Sequence, residues 1–328
     1  MTRFSYEEFD LSDVKTYPLD ARRNKARAED FARSLGSLSG IGAFIDALPN
    51  ILAAADLKAV IAALIEARRT ESGILWGLGA HVIKTGLGPV LIELMERGFV
   101  SALATNGAAV IHDVEIALIG ATSEDVDASL GPGRFGMAEE TGRVLNEAIT
   151  AGVADGLGIG QSVGRWLMST PRPHAHASIF ATAARLEIPI TVHVAIGTDI
   201  IHMHPAASGA AIGEGSLRDF RCLVTNVARL ENGVYLNCGS AVVLPEVFLK
   251  AIALARNRGV TFSNLTTVNL DFMRMYRPLT NVVARPTATS GKGYSFVGHH
   301  EIMIPLLGAA LIDHDRQQNQ SRPKQSSS

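Results

Sequence analysis

"GILWGLGAHVIKTGLGPVLIELMERGFVSALATNG", residues 73–107, decides the fold. It opens on a short apolar run, Gly73–Gly77, and turns at small residues. It continues through Leu87–Arg97 with apolar side chains every three or four positions, and closes on a second apolar run, Phe99–Thr105. A short apolar run bounded by glycine reads as a strand, and the three-to-four spacing reads as a helix. Strand, helix, strand, with the strands apolar on both faces, is the pattern of a parallel sheet covered by helices on both sides.

The same alternation continues downstream. Ile188–Val194, Gly233–Asn237 and Val260–Val268 read as further strands. Ala109–Ile119, Glu139–Ala151, Ala177–Leu186, Ser216–Leu230, Pro245–Arg258 and Glu301–Ile312 read as helices. Upstream, Ala21–Arg33 is charged and helix-compatible, and the stretch 41–69 predicts two helices parted near Pro49. The chain therefore divides into an N-terminal helical extension over 1–72 packed on the core, one α/β domain over 73–312, and a polar, low-complexity segment over 313–328 that reads as a disordered tail.

Composition narrows the function classes. The 328 residues are 47% hydrophobic and 19% charged, with a net charge of −2 and scattered Lys and Arg, so no basic stripe suggests nucleic acid. Cys222 and Cys238 lack metal-ligand spacing and fit a reducing, cytoplasmic setting. The first residues lack the apolar core of a signal peptide, and no apolar run reaches the roughly 18 residues of a membrane span.

In a parallel sheet, ligands sit beyond the carboxyl ends of the strands. The residues found there are "LGAHVIKTG" (78–86), "TNGAAVIHD" (105–113), "AIGTDIIHMH" (195–204), "NCGSAVVLPE" (237–246) and "NLDFMRMYRP" (269–278). Four of the five carry a glycine, which lets backbone amides approach a phosphate, and five such loops around one crevice suit a dinucleotide. The strict G-x-G-x-x-G fingerprint is absent: "GLGAHV" has its first two glycines only, and "GLGIGQSVG" (156–164) follows a helical segment. Asp199, Asp271 and Glu246 each follow a strand, and three acids at one crevice point to an amine or a guanidine. His202 and His204 lie two apart and share a face if extended, yet nothing supplies a third metal ligand, so acid–base roles are the better reading. His299 and His300, ahead of Glu301, either contact an anion or cap the last helix, and His174 and His176 sit in a proline-rich loop that reads as solvated.

The order of segments resembles deoxyhypusine synthase. "WGLGAHVIKTGLGPVLIELMERGFVSALATNGAAVIHDV" resembles that family's strand–loop–helix block, with Thr105, Val110 and Asp113 fitting its motif. "SIFATAARLEIPITVHVAIGTDIIHMH" is similar to the segment carrying its substrate-anchoring aspartate, here Asp199. "GVYLNCGSAVVLPEVFLKAIALARNRG" and "GYSFVGHHEIMIPLL" resemble its glycine-rich strand and closing strand–helix. The resemblance covers about Gly73 to Leu311 and implies a Rossmann-like sheet, NAD, a polyamine substrate and a homotetramer with sites at subunit interfaces. In the family's lysine segment, here "YRPLTNVVARPTA" (276–288), Arg277 and Pro278 fit but the lysine does not; its place falls near Arg285–Pro286. An imine-forming amine is therefore missing, and true deoxyhypusine synthesis is disfavoured.

The first functional expectation is an NAD-dependent enzyme, a transferase or oxidoreductase, that oxidises a small amine to an imine before transfer or hydrolysis. Asp199, His202, Glu246 and His112 are its catalytic candidates. Gly79, Thr105, Gly107, Gly239, Ser240, Thr267 and His299 are assigned to the cofactor, and Asp199, Asp271 and Arg277 to the substrate. A metal-assisted or cofactor-free lyase or hydrolase in the same crevice is the second expectation, and a non-catalytic homologue the third.

Overall fold

Residues 6–36 and 38–321 are described by the structure, a computed structural model. The N-terminal part holds α1 (Gly40–Ala47) and α2 (Leu52–Arg69). The next elements are β1 (Ile74–Leu78), α3 (Ala80–Lys84), α4 (Gly88–Glu96), β2 (Ala102–Asn106) and α5 (Gly107–Ile119). Between the second and third strands lie α6 (Val126–Leu130), α7 (Glu139–Ala154), α8 (Ile159–Ser169) and α9 (Ile179–Arg185), leading into β3 (Ile190–His193). The remaining elements are α10 (Gly209–Val227), β4 (Val234–Cys238), α11 (Val243–Asn257), β5 (Thr266–Asp271), the short α12 (Tyr276–Pro278) continuing into a π-helical turn, β6 (Lys292–Val297) and α13 (His300–Ser321).

All six strands are parallel, in the order β3-β2-β1-β4-β5-β6. This is a Rossmann sheet: the chain winds outward from β1 in one direction, returns to β4, and winds outward in the other. The crevice between the carboxyl ends of β1 and β4 is the topological switch point, where such sheets bind ligands. β1 is buried at all five positions, as two-sided coverage demands. Trp76, Leu78, Leu236, Val268 and Leu270 face one core, where the Trp76 indole N–H donates to Phe99 O at 3.0 Å. Leu75, Tyr235, Leu244 and Val282 face the other, where Tyr235 stacks on Phe248 at 3.6 Å between centroids.

The ends of the chain depart from expectation. Ala21–Arg33 forms no α-helix; it holds only the three-residue 3-10 turns Leu19–Ala21 (in part) and Ala28–Asp30. Its charges leave no apolar stripe to bury, and tertiary packing supplies most helical stability. α2 packs on the sheet, with Val60, Ile61 and Leu64 buried in the main core. At the other end, α13 runs on to Ser321 where a disordered tail was expected from 313; residues 322–328 of that tail lie outside the described residues. Asp315 explains the extension. It is buried and accepts from Arg68 Nη1 at 2.7 Å and Arg97 Nη1 at 3.0 Å, pinning α13 to α2 and α4. Burial alone raises its pKa, but the two guanidinium hydrogen bonds outweigh it and leave the carboxyl below its ordinary value.

"GLGIGQSVG" folds as the start of α8, an element the sequence reading did not assign. Asp219 holds it there, accepting from Gly160 N at 2.9 Å and from the edge-strand amide Val192 N at 2.8 Å. Burial pushes this carboxyl up to about 7 despite those amides. Asp113 plays the same part for α9, accepting from the Ser178 hydroxyl and from Ile179 N at 2.8 Å, and burial raises it to about 6.

Candidate functional site

The switch point is built by two glycine loops in contact. Gly79 N–H donates to Cys238 O at 2.8 Å, and a Cβ on Gly79 would lie 2.6 Å from the Gly239 carbonyl carbon. Gly239 itself has φ +73°, and a Cβ there would lie 2.9 Å from the His300 ring. Only glycine suits either position. Beneath the second loop, Asn237 Nδ2 donates to Ser240 O at 2.9 Å and to Asn269 Oδ1 at 2.8 Å, tying the loop to the neighbouring strand. The Ser240 hydroxyl accepts from Leu244 N at 3.1 Å at the start of α11.

On the β5–β6 side of this point a cluster of rings assembles from separate elements. His81, at the start of α3, lies 5.8 Å from His300 and 6.1 Å from Phe272 between centroids. Phe272 also stacks parallel to His299 at 6.3 Å. His300 is fully buried, and its Nε2–H donates to Leu270 O at 3.1 Å. That bond fixes the tautomer: Nδ1 carries a lone pair, buried and without a hydrogen-bond partner among the described residues. Burial first, then Lys84 and His300, depress the His81 pKa below its usual value, with Glu301 and Asp271 opposing. His81 is therefore a neutral base near pH 7. Asp271 closes β5 beside the cluster and is buried. The sequence offered His300, with His299, as an anion contact or a helix cap, and His81 only as part of the loop 78–86. The available signal was position, since each follows a glycine at the end of a strand within three residues.

On the β2–β3 side sits Asp199. Its carboxylate lies over the first residue of α5: a Cβ on Gly107 would come within 2.6 Å of its Cγ, and closer still to Oδ2. Negative charge there is favoured by the helix dipole. Burial pushes the carboxyl above its usual range, partly offset by His202 and by the Ala108 amide. His202 Nδ1 accepts from Gly197 N at 3.1 Å and Asp199 N at 3.3 Å, so its proton is on Nε2, 3.9 Å from Asp199 Oδ2. Both Asp199 Oδ2 and His202 Nε2 are buried and lack a partner among the described residues. Two unsatisfied buried polar atoms side by side are costly unless a ligand or water completes them.

Several expected site residues have other employment. The Thr105 hydroxyl donates to Leu78 O at 2.8 Å and is fully buried, so it links β2 to β1 and faces no ligand. Thr267 is fully buried four residues before Asp271, roughly 13 Å below the edge at about 3.3 Å per residue, too deep for a cofactor contact. Glu246 pairs with Lys250 and with Arg277 Nε at 3.3 Å, and accepts from Asn281 Nδ2 at 2.9 Å. The acid and the arginine assigned to the site thus neutralise each other on a half-exposed surface. The His112 ring is held by Thr122 Oγ1 at 2.7 Å, itself a donor to Glu115 at 2.5 Å. His204 pairs with Glu139 at 3.2 Å on α7, and His193 is buried, its pKa driven down to about 4. Half-buried His174 packs on Gly120, which ends α5, while His176 is exposed. Among the described residues no three His, Cys, Asp or Glu side chains converge to hold a metal ion, and no helix is long and apolar enough to cross a membrane.

Residues 58–153 match a protein-family model described as the arginine dihydrolase ArgZ-like C-terminal Rossmann fold. The match begins inside α2. No curated protein matches the chain by sequence. Among solved structures, a ternary complex of AgrE with ornithine and NAD+ is 17% identical with a TM-score of 0.52, over 80% of this chain and 33% of that one. A conserved LOR/SDH protein from Methanococcus maripaludis is also 17% identical, with a TM-score of 0.51 over 80% of this chain and 70% of that one. A deoxyhypusine synthase structure from Entamoeba histolytica is 12% identical with a TM-score of 0.45, over 92% of this chain and 97% of that one. The chain spans about a third of the length of the ArgZ and AgrE structures it matches. The family model and the two matches above a TM-score of 0.5 agree on the fold alone, a Rossmann sheet.

Proposed function

We propose that the chain is an NAD-dependent enzyme that oxidises a small cationic amine. The observation that carries this reading is the row of buried, unpartnered polar atoms along the carboxyl edge of the sheet: Asp199 Oδ2 and His202 Nε2 on one side of the switch point, His300 Nδ1 on the other. Such atoms fit a ligand long enough to reach across β1 and β4, as a dinucleotide is. The structural neighbour AgrE, solved with NAD+ and ornithine and, as a variant, with L-arginine, supports the pairing of that cofactor with an amine.

In this reading Asp199 serves the cofactor. An acid beside the end of β2 suits a ribose hydroxyl, since a hydroxyl donates to the free Oδ2 without demanding charge neutralisation. His202 presents only an N–H on that side and acts as a donor, not a base. The glycine loops at Gly79 and Gly239 give the cofactor backbone amides without side-chain obstruction. The third glycine of the G-x-G-x-x-G fingerprint is absent, and α3 is only five residues long.

NAD, when bound, supplies the acceptor for hydride from the carbon that bears the amine nitrogen. Hydride leaves readily only once that nitrogen has lost its proton. His81, neutral near pH 7, is placed to take the proton from the substrate ammonium, and Asp271 to orient the cation before it is deprotonated. The Phe272 and His299 rings stand beside His81 at the exposed edge of this cluster. Water or a second amine then adds to the imine carbon. Transfer and hydrolysis are separated by the products.

The test is NADH formation on a panel of ornithine, arginine, lysine and spermidine. The expected result is turnover of at least one, lost in His81→Asn. No turnover by wild type, together with no NAD binding, would overturn the assignment.

A further inference from the structure

Residues 6–29 are exposed throughout and hold no regular structure beyond short 3-10 turns, yet they are rich in large apolar side chains. Phe9 is 85% exposed, Leu11 70%, Tyr17 66% and Leu19 70%, with Tyr6 and Val14 likewise open. Acids alternate with them at Glu8, Asp10, Asp13 and Asp20. The root of this arm is firmly held: Arg33 N donates to Ala47 O at 2.9 Å, and Asn50 N to Asp30 O at 2.8 Å, directly before α2. A tethered arm with six unburied apolar side chains is unfavourable in water and marks a docking element.

A matching surface lies on the same protein. Between the first turns of α2 and the edge strand β6 runs an apolar groove lined by Ala53, Leu57, Phe296, Val297 and Met303, with Arg274 at its lip. Exposed Arg274 has no ion-pair partner among the described residues. The groove is therefore apolar with a free cation, and the distal part of the arm, residues 6–14, is apolar with interleaved acids and no base, while Lys15, Arg22, Arg23, Lys25 and Arg27 lie nearer its root.

We propose that the arm of one chain docks in this groove of a second copy, and the reverse, forming a two-fold exchanged dimer. The geometry favours reciprocity. The root of each arm sits beside α2, which also forms the wall of its own groove, so two grooves brought face to face put each arm beside the partner's groove. The arm does not fold back on its own groove, because residues 6–29 stay exposed in the single chain.

The experiment is light scattering coupled to size exclusion across a dilution series. It compares the full chain with the triple variant Phe9→Asp, Leu11→Asp, Tyr17→Asp, whose exposed positions leave the fold intact by circular dichroism. The expected result is a dimer whose dissociation constant rises at least about a hundredfold in the triple variant, on the order of 3 kcal/mol at 1.4 kcal/mol per tenfold. Arg274→Glu weakens the dimer, and Glu8→Lys with Asp10→Lys and Asp13→Lys in the same chain restores it. A full chain that is monomeric at every concentration overturns the proposal, including one whose arm resists protease by folding on its own body. An oligomer unchanged by both the triple variant and Arg274→Glu overturns it equally.

Discussion

Gly107→Ala separates the role of the Asp199 carboxylate from general damage to the fold. Gly107 opens α5 without a left-handed backbone, so alanine brings no backbone strain. The added methyl would stand 2.6 Å from Asp199 Cγ and closer to Oδ2, so the carboxylate must move off the helix start. Overpacking of this kind costs about 1–3 kcal/mol, and the lost helix-terminus interaction adds up to about 1 kcal/mol. Stability should therefore fall by about 1–4 kcal/mol in urea unfolding. If Asp199 holds the cofactor, NAD affinity falls alongside, by a factor on the order of thirty for about 2 kcal/mol. Gly131→Ala is the control, since its Cβ meets nothing within 4 Å and its backbone is right-handed. Equal stability and equal NAD affinity in Gly107→Ala and Gly131→Ala would refute the placement of Asp199.

Three further outcomes are expected. Asp219 has a folded pKa near 7 against an ordinary 3.8, so its contribution is fully favourable below pH 4 and is lost as pH rises through 7. That difference sets a ceiling of about 4 kcal/mol, and Asp219→Asn should flatten the fall in urea midpoint between pH 5 and pH 8, at the expense of one or two amide contacts. Asp315→Ala removes the carboxylate bridging Arg68 and Arg97 and should lower stability by about 1–3 kcal/mol, with α13 exchanging its amides faster. Thr267→Val replaces an unpartnered buried hydroxyl far below the edge, and should leave NAD binding unchanged while altering stability by less than about 1 kcal/mol.

The alternation of elements was legible because it is local. Residues 73–107 carry their strand, helix and strand in the spacing of their own apolar side chains, and the observed β1, α4 and β2 fall within a few residues of the reading. Sheet order was not legible: the pairing of β1 with β4 joins residues about 160 positions apart, and no local pattern encodes it. β6 came only through the family resemblance, since Lys292–Val297 is a half-exposed edge strand without a buried apolar run. α8 was missed because glycines at 158, 160 and 164 mask its periodicity; they are there for close packing on Asp219, Ile190 and Ala184. At the site, acids after strands were readable by position, yet their partners were not. Nothing near Glu246 in sequence announces Arg277, and nothing near Gly107 announces Asp199. The His81–His300 pairing joins the first and last strands' loops and became visible only in three dimensions.

Calorimetric titration of NAD into the purified chain tests the central claim most directly. The account predicts one NAD per chain with a dissociation constant on the order of micromolar, weakened at least about tenfold in Asp199→Ala. Absence of binding at about millimolar NAD, or equal affinity in Asp199→Ala, would contradict it.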